Sequence, residues 1–345
     1  MKRKLTMWGG AGILLLFLSV TISLSIGTVH VPLRDVWGIL AHHLPVIGGS
    51  VQADWQPAAE QIIWKVRLPR VLLGMLVGAA LGIAGAAFQG VLRNPLADPY
   101  TLGVSSGASV GAAFLILFGL QFALFGAWTV PVVAFVTGTL SLVTVIILAR
   151  TDGKLRTETL VLAGVVMQAF LGAFVSLMVA MSKQVINEIV FWLMGSLAMR
   201  NWSYSLILLP YLTAGALVLL GFGRAMNLFA LGERQASYLG VHVERTKLIA
   251  LAAATLITAA AVSVSGVVAF VGLIVPHLLR LLVGPDYRLL LPLSLIGGAF
   301  YVLWADTLAR TLLSPTEIPL GVVTAFMGAP FFAYLLKRGK RMSNS

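Results

Sequence analysis

Residues 102–149, LGVSSGASVGAAFLILFGLQFALFGAWTVPVVAFVTGTLSLVTVIILA, carry no ionisable side chain. About 20 helical residues cross the hydrocarbon core of a bilayer, so this stretch is long enough for two crossings and too long for one. It breaks at Gly119-Leu120-Gln121 and again near Gly126, which divides it into two spans. Residues 248–279 pose the same problem and break at Ser263-Val264-Ser265-Gly266. Arg245 and Lys247 precede that second stretch, and Arg280 and Arg288 follow it. Basic residues collect on the cytoplasmic side, so an even number of crossings lies between the two pairs. With 8–30, 71–92, 160–182, 202–223, 289–305 and 318–336 each counted once, the sequence predicts ten spans. The fold class is an all-α polytopic membrane protein, a single transmembrane domain over residues 1–345.

Composition agrees: 59% of residues are apolar and 10% charged, against near half and a quarter in soluble domains. A net charge of +12 would suggest nucleic acid in a soluble chain; here it is topological, and no nucleic-acid partner is expected. With a cytoplasmic N-terminus, 17 of the 24 basic residues fall inside. They cluster at Lys2 to Lys4, at Arg93, at 150–156, at 224–247, at Arg280 with Arg288, and at 337–341. Arg34, Lys65, Arg67, Arg70, Lys183, Arg200 and Arg310 fall outside. Both termini are therefore predicted cytoplasmic. The run from Trp8 to Ile26 exceeds the apolar region of a cleaved signal peptide and is taken as a retained first span. The absence of cysteine removes thiol catalysis and Cys-based metal sites. Runs such as Gly78-Ala79-Ala80-Leu81-Gly82 and Gly103-Val104-Ser105-Ser106-Gly107 suit close helix packing in lipid.

Three segments carry polar chemistry that a plain bundle does not need. Lys65-Val66-Arg67-Leu68-Pro69-Arg70 puts three positive charges on the outer face just before the second span, against the usual bias. They read either as snorkelling anchors or as a docking site for an acidic partner. Arg93-Asn94-Pro95-Leu96-Ala97-Asp98-Pro99 is a tight cytoplasmic turn. The interval from Gly223 to Lys247 is long for a connector, and Leu231, Gln235, Tyr238 and Leu239 within it have helical spacing between flanking glycines. It reads as a short surface helix, either solvated or bound to a partner. Gln168, the lone strongly polar residue of the span 160–182, is a candidate for the translocation path or for a helix-to-helix hydrogen bond.

The run RLPR, the stretch GAALGIAGAAFQGVLRNPLADPYTLGVSSGASVGA, ALGERQASYLGV, GVVAFVGLIVPHLLR, ADTLAR and EIPLGVVTAFMGAP together resemble the FecCD-type permeases. These are the transmembrane subunits of type II ABC importers for iron–siderophores, haem and vitamin B12. The resemblance covers Trp64 to Leu336 in order and spacing. It implies a permease subunit in a bacterial inner membrane, dimeric with an identical or related second permease. The implied partners are an ATP-binding cassette subunit and an external substrate-binding protein, with an iron(III)–siderophore complex as substrate and vitamin B12 or haem as the alternative. Spans two to five and seven to ten are related as inverted repeats in the family. Arginines at positions matching Arg67, Arg70 and Arg310 form salt bridges there with glutamates on the two lobes of the binding protein. Leu231, Gly232, Glu233, Gln235, Ala236, Leu239 and Gly240 correspond to coupling helices that sit on the ATP-binding subunit.

Gly153-Lys154 and Gly339-Lys340 are not followed by the Ser or Thr of a Walker A motif. The chain is thus expected to be no enzyme, with ATP hydrolysis supplied by another subunit and no cofactor of its own. Its histidines, His30, His42, His43, His242 and His277, show no metal-ligand spacing. An ion-coupled secondary transporter would want carboxylates at mid-span, whereas the acidic residues lie near span ends or in loops. An integral membrane enzyme would want a carboxylate pair or His cluster on one face, and none is evident.

Overall fold

The computed structural model describes residues 2–45, 48–151 and 154–343. Met1 of the N-terminal run and Gly153 of the first Gly-Lys pair lie outside the described residues. Helix α1 (Lys2–Ser25) leads into an outer segment with two short helices, α2 (Leu33–His42) and α3 (Pro57–Gln61). A π-helical turn, Ile62–Arg67, joins α3 to α4 (Leu68–Leu92). Then follow α5 (Val104–Leu117), α6 (Thr129–Ala149), α7 (Thr157–Met181), α8 (Ile186–Leu193) and α9 (Trp202–Gly221). The chain continues through α10 (Gly223–Phe229), α11 (Glu233–Tyr238), α12 (Val243–Ser265), α13 (Val271–Val283), α14 (Tyr287–Thr311) and α15 (Leu320–Ser343). Between α6 and α7, two-residue strands β1 (Arg150–Thr151) and β2 (Lys154–Leu155) pair antiparallel.

Each predicted span has its helix. Among the described residues, seven helical stretches are long and apolar enough to cross a membrane, and α5, α13 and 320–333 are shorter apolar helices. The breaks fall where the small and polar residues were: α5 ends at Leu117 and α12 at Ser265. α5 and α13 hold the second place in the two sets of four, and each follows a stretch that is not α-helical, the first holding a 3-10 turn at Pro99–Leu102. Those stretches meet, because the Tyr100 hydroxyl donates to the Val268 carbonyl at 3.0 Å. Irregular backbone survives at such depth only where protein covers it.

α4 is the central element: 83% of its most apolar window is buried, against 22% in α7 and 6% in α1. It lies against α14 at backbone contact. A Cβ at Gly78 would strike the Gly298 carbonyl, and one at Gly82 the Ser294 carbonyl. Only glycine permits that approach, as the run from Gly78 to Gly82 suggested. Gly107 meets the Thr137 backbone of α6 in the same way.

Two expectations are corrected. Lys65 to Arg70 does not stand ahead of the second span but belongs to the same continuous helix, with Arg67 and Arg70 buried and Lys65 exposed. Pro69 lacks an N–H, and its ring collides with the carbonyl four residues back in a regular helix. The π turn opens the backbone there, with the Leu68 N–H bonded to the Ile63 carbonyl, so the helix passes the proline unbroken. The interval 223–247 holds two short helices rather than one, divided by Gly232 at φ 113°, and α12 already begins at Val243.

Candidate functional site

At the end of the molecule where α1 stops and α14 turns toward α15, the three predicted arginines converge. Arg70 is clamped by Asp306 of α14: its Nε donates to Oδ1 and Oδ2 at 3.0 Å each, and its Nη2 to Oδ1 at 2.8 Å. Its remaining Nη1 donates to Glu317 Oε1 at 2.7 Å. Arg67 Nη1 donates to the carbonyls of Leu24 and Ser25 at 2.7 and 3.1 Å, and its Nη2 to that of Val29. The Leu24 and Ser25 carbonyls end α1, where a cation is also favoured by the helix dipole, and Val29 follows in the loop beyond it. Arg310 Nη2 donates to the Ser23 hydroxyl at 2.7 Å and to the Ser23 carbonyl. Its Nε, 3.8 Å from Asp306 Oδ2, is buried without a hydrogen-bond partner. A polar cavity of about 160 Å³ opens among Arg67, Arg70, Arg310, Glu317, Gly27 and Val66. Chemically, the cluster sets three guanidinium groups against two carboxylates, held by buried hydrogen bonds beside a recess.

Asp306 and Glu317 were not singled out by sequence reasoning. Asp306 stands one helical turn before Arg310, which is a signal at the right spacing; Glu317 sits in a loop, where no periodicity marks it.

The opposite end carries the interval 223–247, with α10 and α11. Glu233 accepts from Lys247 Nζ at 2.7 Å and from Arg93 at 3.4 Å. Buried Lys247 also donates to the Leu155 carbonyl at 3.3 Å, and Glu244 Oε2 accepts the Leu155 N–H at 2.9 Å. α11 is thereby tied to α12, to the end of α4 and to the β hairpin. Ala236 faces inward and is buried, while Gln235, Leu231, Leu239 and Tyr238 are exposed, Tyr238 at 88%. Gly232 and Gly240, at φ 113° and 86°, allow the turns that bracket α11. Below α10, Asn227 Nδ2 donates to Asp286 Oδ1 at 2.6 Å. The Arg288 guanidinium, then Asn227, hold the Asp286 carboxyl well below the usual carboxylate range.

Gln168 Nε2 donates to the Thr101 carbonyl at 2.9 Å, fastening α7 to the turn before α5. His43 stacks on Trp64 at 3.9 Å between ring centroids and lies 3.5 Å from Glu60. His277 is in mid-helix rather than at a span end, beside Phe331 and Phe332.

A helical membrane domain with glycine-sealed central helices and two shorter apolar helices, α5 and α13, has the architecture of an ABC transporter permease. The model of the FecCD transport family matches residues 14–338, and the chain belongs to that family. It is 44% identical over 335 residues, 97% of this chain and 94% of the other, to the uncharacterised ABC transporter permease YvrB of Bacillus subtilis. It is 40% identical over 364 residues, 96% of this chain and 95% of the other, to the cobalamin import system permease BtuC of Halobacterium salinarum. A solved ABC transporter assigned to the metal-chelate type, in an inward-facing conformation, shares 33% identity with a TM-score of 0.81. That match covers 98% of this chain and 100% of the solved one.

Proposed function

We propose that this chain is the permease subunit of an importer that carries iron(III)–siderophore complexes across a bacterial inner membrane, with both termini in the cytoplasm. The observation that carries the reading is family membership over residues 14–338 joined to a full-length likeness to a metal-chelate type transporter. A separate ATP-binding subunit rests on α11, where exposed Leu231, Tyr238 and Leu239 offer apolar contacts and Glu233 is braced from behind by Lys247. A second permease, identical or related, completes the pathway. A substrate-binding protein docks on the outer side through carboxylates that meet the cluster of Arg67, Arg70 and Arg310. Charge-assisted contacts of that kind orient a partner and speed its encounter. Gln168, already engaged with Thr101, acts on the pathway by fixing α7.

Cells lacking their own iron importers, supplied with this chain, its ATP-binding subunit and its binding protein, should take up radiolabelled iron on a hydroxamate or catecholate siderophore. Labelled cobalamin and haem run in parallel. Uptake of cobalamin without iron would replace the substrate and keep the machinery, in line with the similarity to a cobalamin permease.

A further inference from the structure

Within the outer cluster the two carboxylates are not equivalent. Asp306 comes from a helix, is 3% exposed at its side chain, and already engages Arg70 through two guanidinium nitrogens. Glu317 comes from the loop between α14 and α15, is 41% exposed, and adds a single contact to Nη1. Three guanidinium groups stand with these two negative charges, and Arg67, Arg70, Arg310 and Glu317 line a cavity of about 160 Å³. At roughly 30 Å³ per water molecule, that volume admits one more carboxylate with a few waters. Arg310, which also lines this cavity, has its Nε buried and without a hydrogen-bond partner, so its charge is incompletely matched.

We propose that Glu317 is a resident substitute for the carboxylate of the docked binding protein, and that docking displaces it. While the outer face is free, Glu317 caps Arg70. On docking, an acidic side chain of the partner enters the cavity, takes Arg70 Nη1, and releases Glu317. The proposal rests on the docking reading above and adds a positioning role for a residue of this chain. The release has somewhere to go. The residues after Glu317 bind the Ala309 carbonyl through the Ile318 N–H at 2.9 Å, and the carbonyls of Gly195 and Met194 through Leu320 and Gly321 at 2.9 and 2.8 Å. Ser196 in turn donates to the Ser265 carbonyl at the end of α12 at 2.8 Å. Freeing Glu317 therefore loosens a loop that is bonded to the start of α15 and to the segment braced on α12.

A brace and a substitute predict opposite signs. If Glu317 only braces the fold, Glu317→Gln weakens docking or leaves it alone. If it competes with the partner, Glu317→Gln tightens docking. The test uses the assembled importer in lipid nanodiscs and measures the affinity of its binding protein at low and high salt. Glu317→Gln is expected to tighten binding about tenfold, the scale of one charge-assisted hydrogen bond, and Glu317→Asp to restore the wild-type value. A spin label on Thr316→Cys, in a chain without other cysteines, is expected to gain mobility when the binding protein docks. Equal or weaker affinity of Glu317→Gln, or a label that does not respond, overturns the displacement. If Arg67→Gln and added salt both leave the affinity unchanged, docking on this cluster fails, and the displacement with it.

Discussion

The two ends of this permease both hold clustered charge, but they expose opposite things. At the outer end the charged groups are the buried part: Arg67, Arg70, Arg310 and Asp306 are all less than a tenth exposed, and what opens outward is a recess. At the cytoplasmic end the salt bridge of Glu233 with Lys247 lies behind the helix, and what projects is Leu231, Tyr238 and Leu239. A recess of fixed donors suits a partner that arrives and leaves repeatedly, since its electrostatic pull governs encounter and orientation. An apolar protrusion suits one that stays, since its burial is non-directional and lasting.

The contrast predicts that outer substitutions register first as lost stability, and cytoplasmic ones first as lost partner. The largest effect is expected for Asp306→Asn, which leaves Arg70 and Arg310 buried without their shared counter-charge. It should cost about 3–5 kcal/mol, read as a lowered thermal transition and a poor yield of monodisperse protein; a wild-type transition would show that the cluster is solvated. Leu239→Asp should leave the transition within about 0.5 kcal/mol of wild type. It should still weaken retention of the ATP-binding subunit by about 2 kcal/mol, roughly thirtyfold in affinity. Undiminished co-purification would remove α11 from the interface. Glu233→Gln, intermediate between the two, takes the carboxylate from buried Lys247 and should cost about 1–2 kcal/mol of stability, with partner retention falling only through misplacement of α11. Arg288→Ala is the smallest. Asp286 is held below its ordinary range, so its contribution is present above the unfolded carboxylate value near pH 4 and is lost as pH falls through the folded one. Removing Arg288 should lower neutral-pH stability only slightly and flatten the loss below pH 4, as followed by thermal melts across acidic buffers.

The spans were legible because a bilayer imposes a length, and the charge-free runs met it; even the division of 102–149 and 248–279 followed from small and polar residues at the breaks. The position of the arginines along the chain was legible too, as was the role of glycine between Gly78 and Gly82. The burial of those arginines was not. Hydropathy ended the second span at Val71 because Lys65, Arg67 and Arg70 are charged, and Pro69 reads as a helix start. Whether such charges sit in water or inside the protein depends on their partners, and the partners of Arg70 lie 236 and 247 residues away. No local pattern carries that information. The coupling segment fell between these cases: its helical spacing and glycines were visible, while the inward turn of Ala236 and the brace from Lys247 required the fold.

The glycine contact between α4 and α14 limits how the protein can move. Where backbones touch without side chains between them, sliding by even one residue drives Cβ atoms into carbonyls, as at Gly78 with Gly298 and Gly82 with Ser294. The pair is in effect a welded spar running through the subunit, carrying Arg70 and Asp306 at one end. Motion within the subunit is then left to the less covered helices, α1 and α7 among them, around a part that keeps its shape.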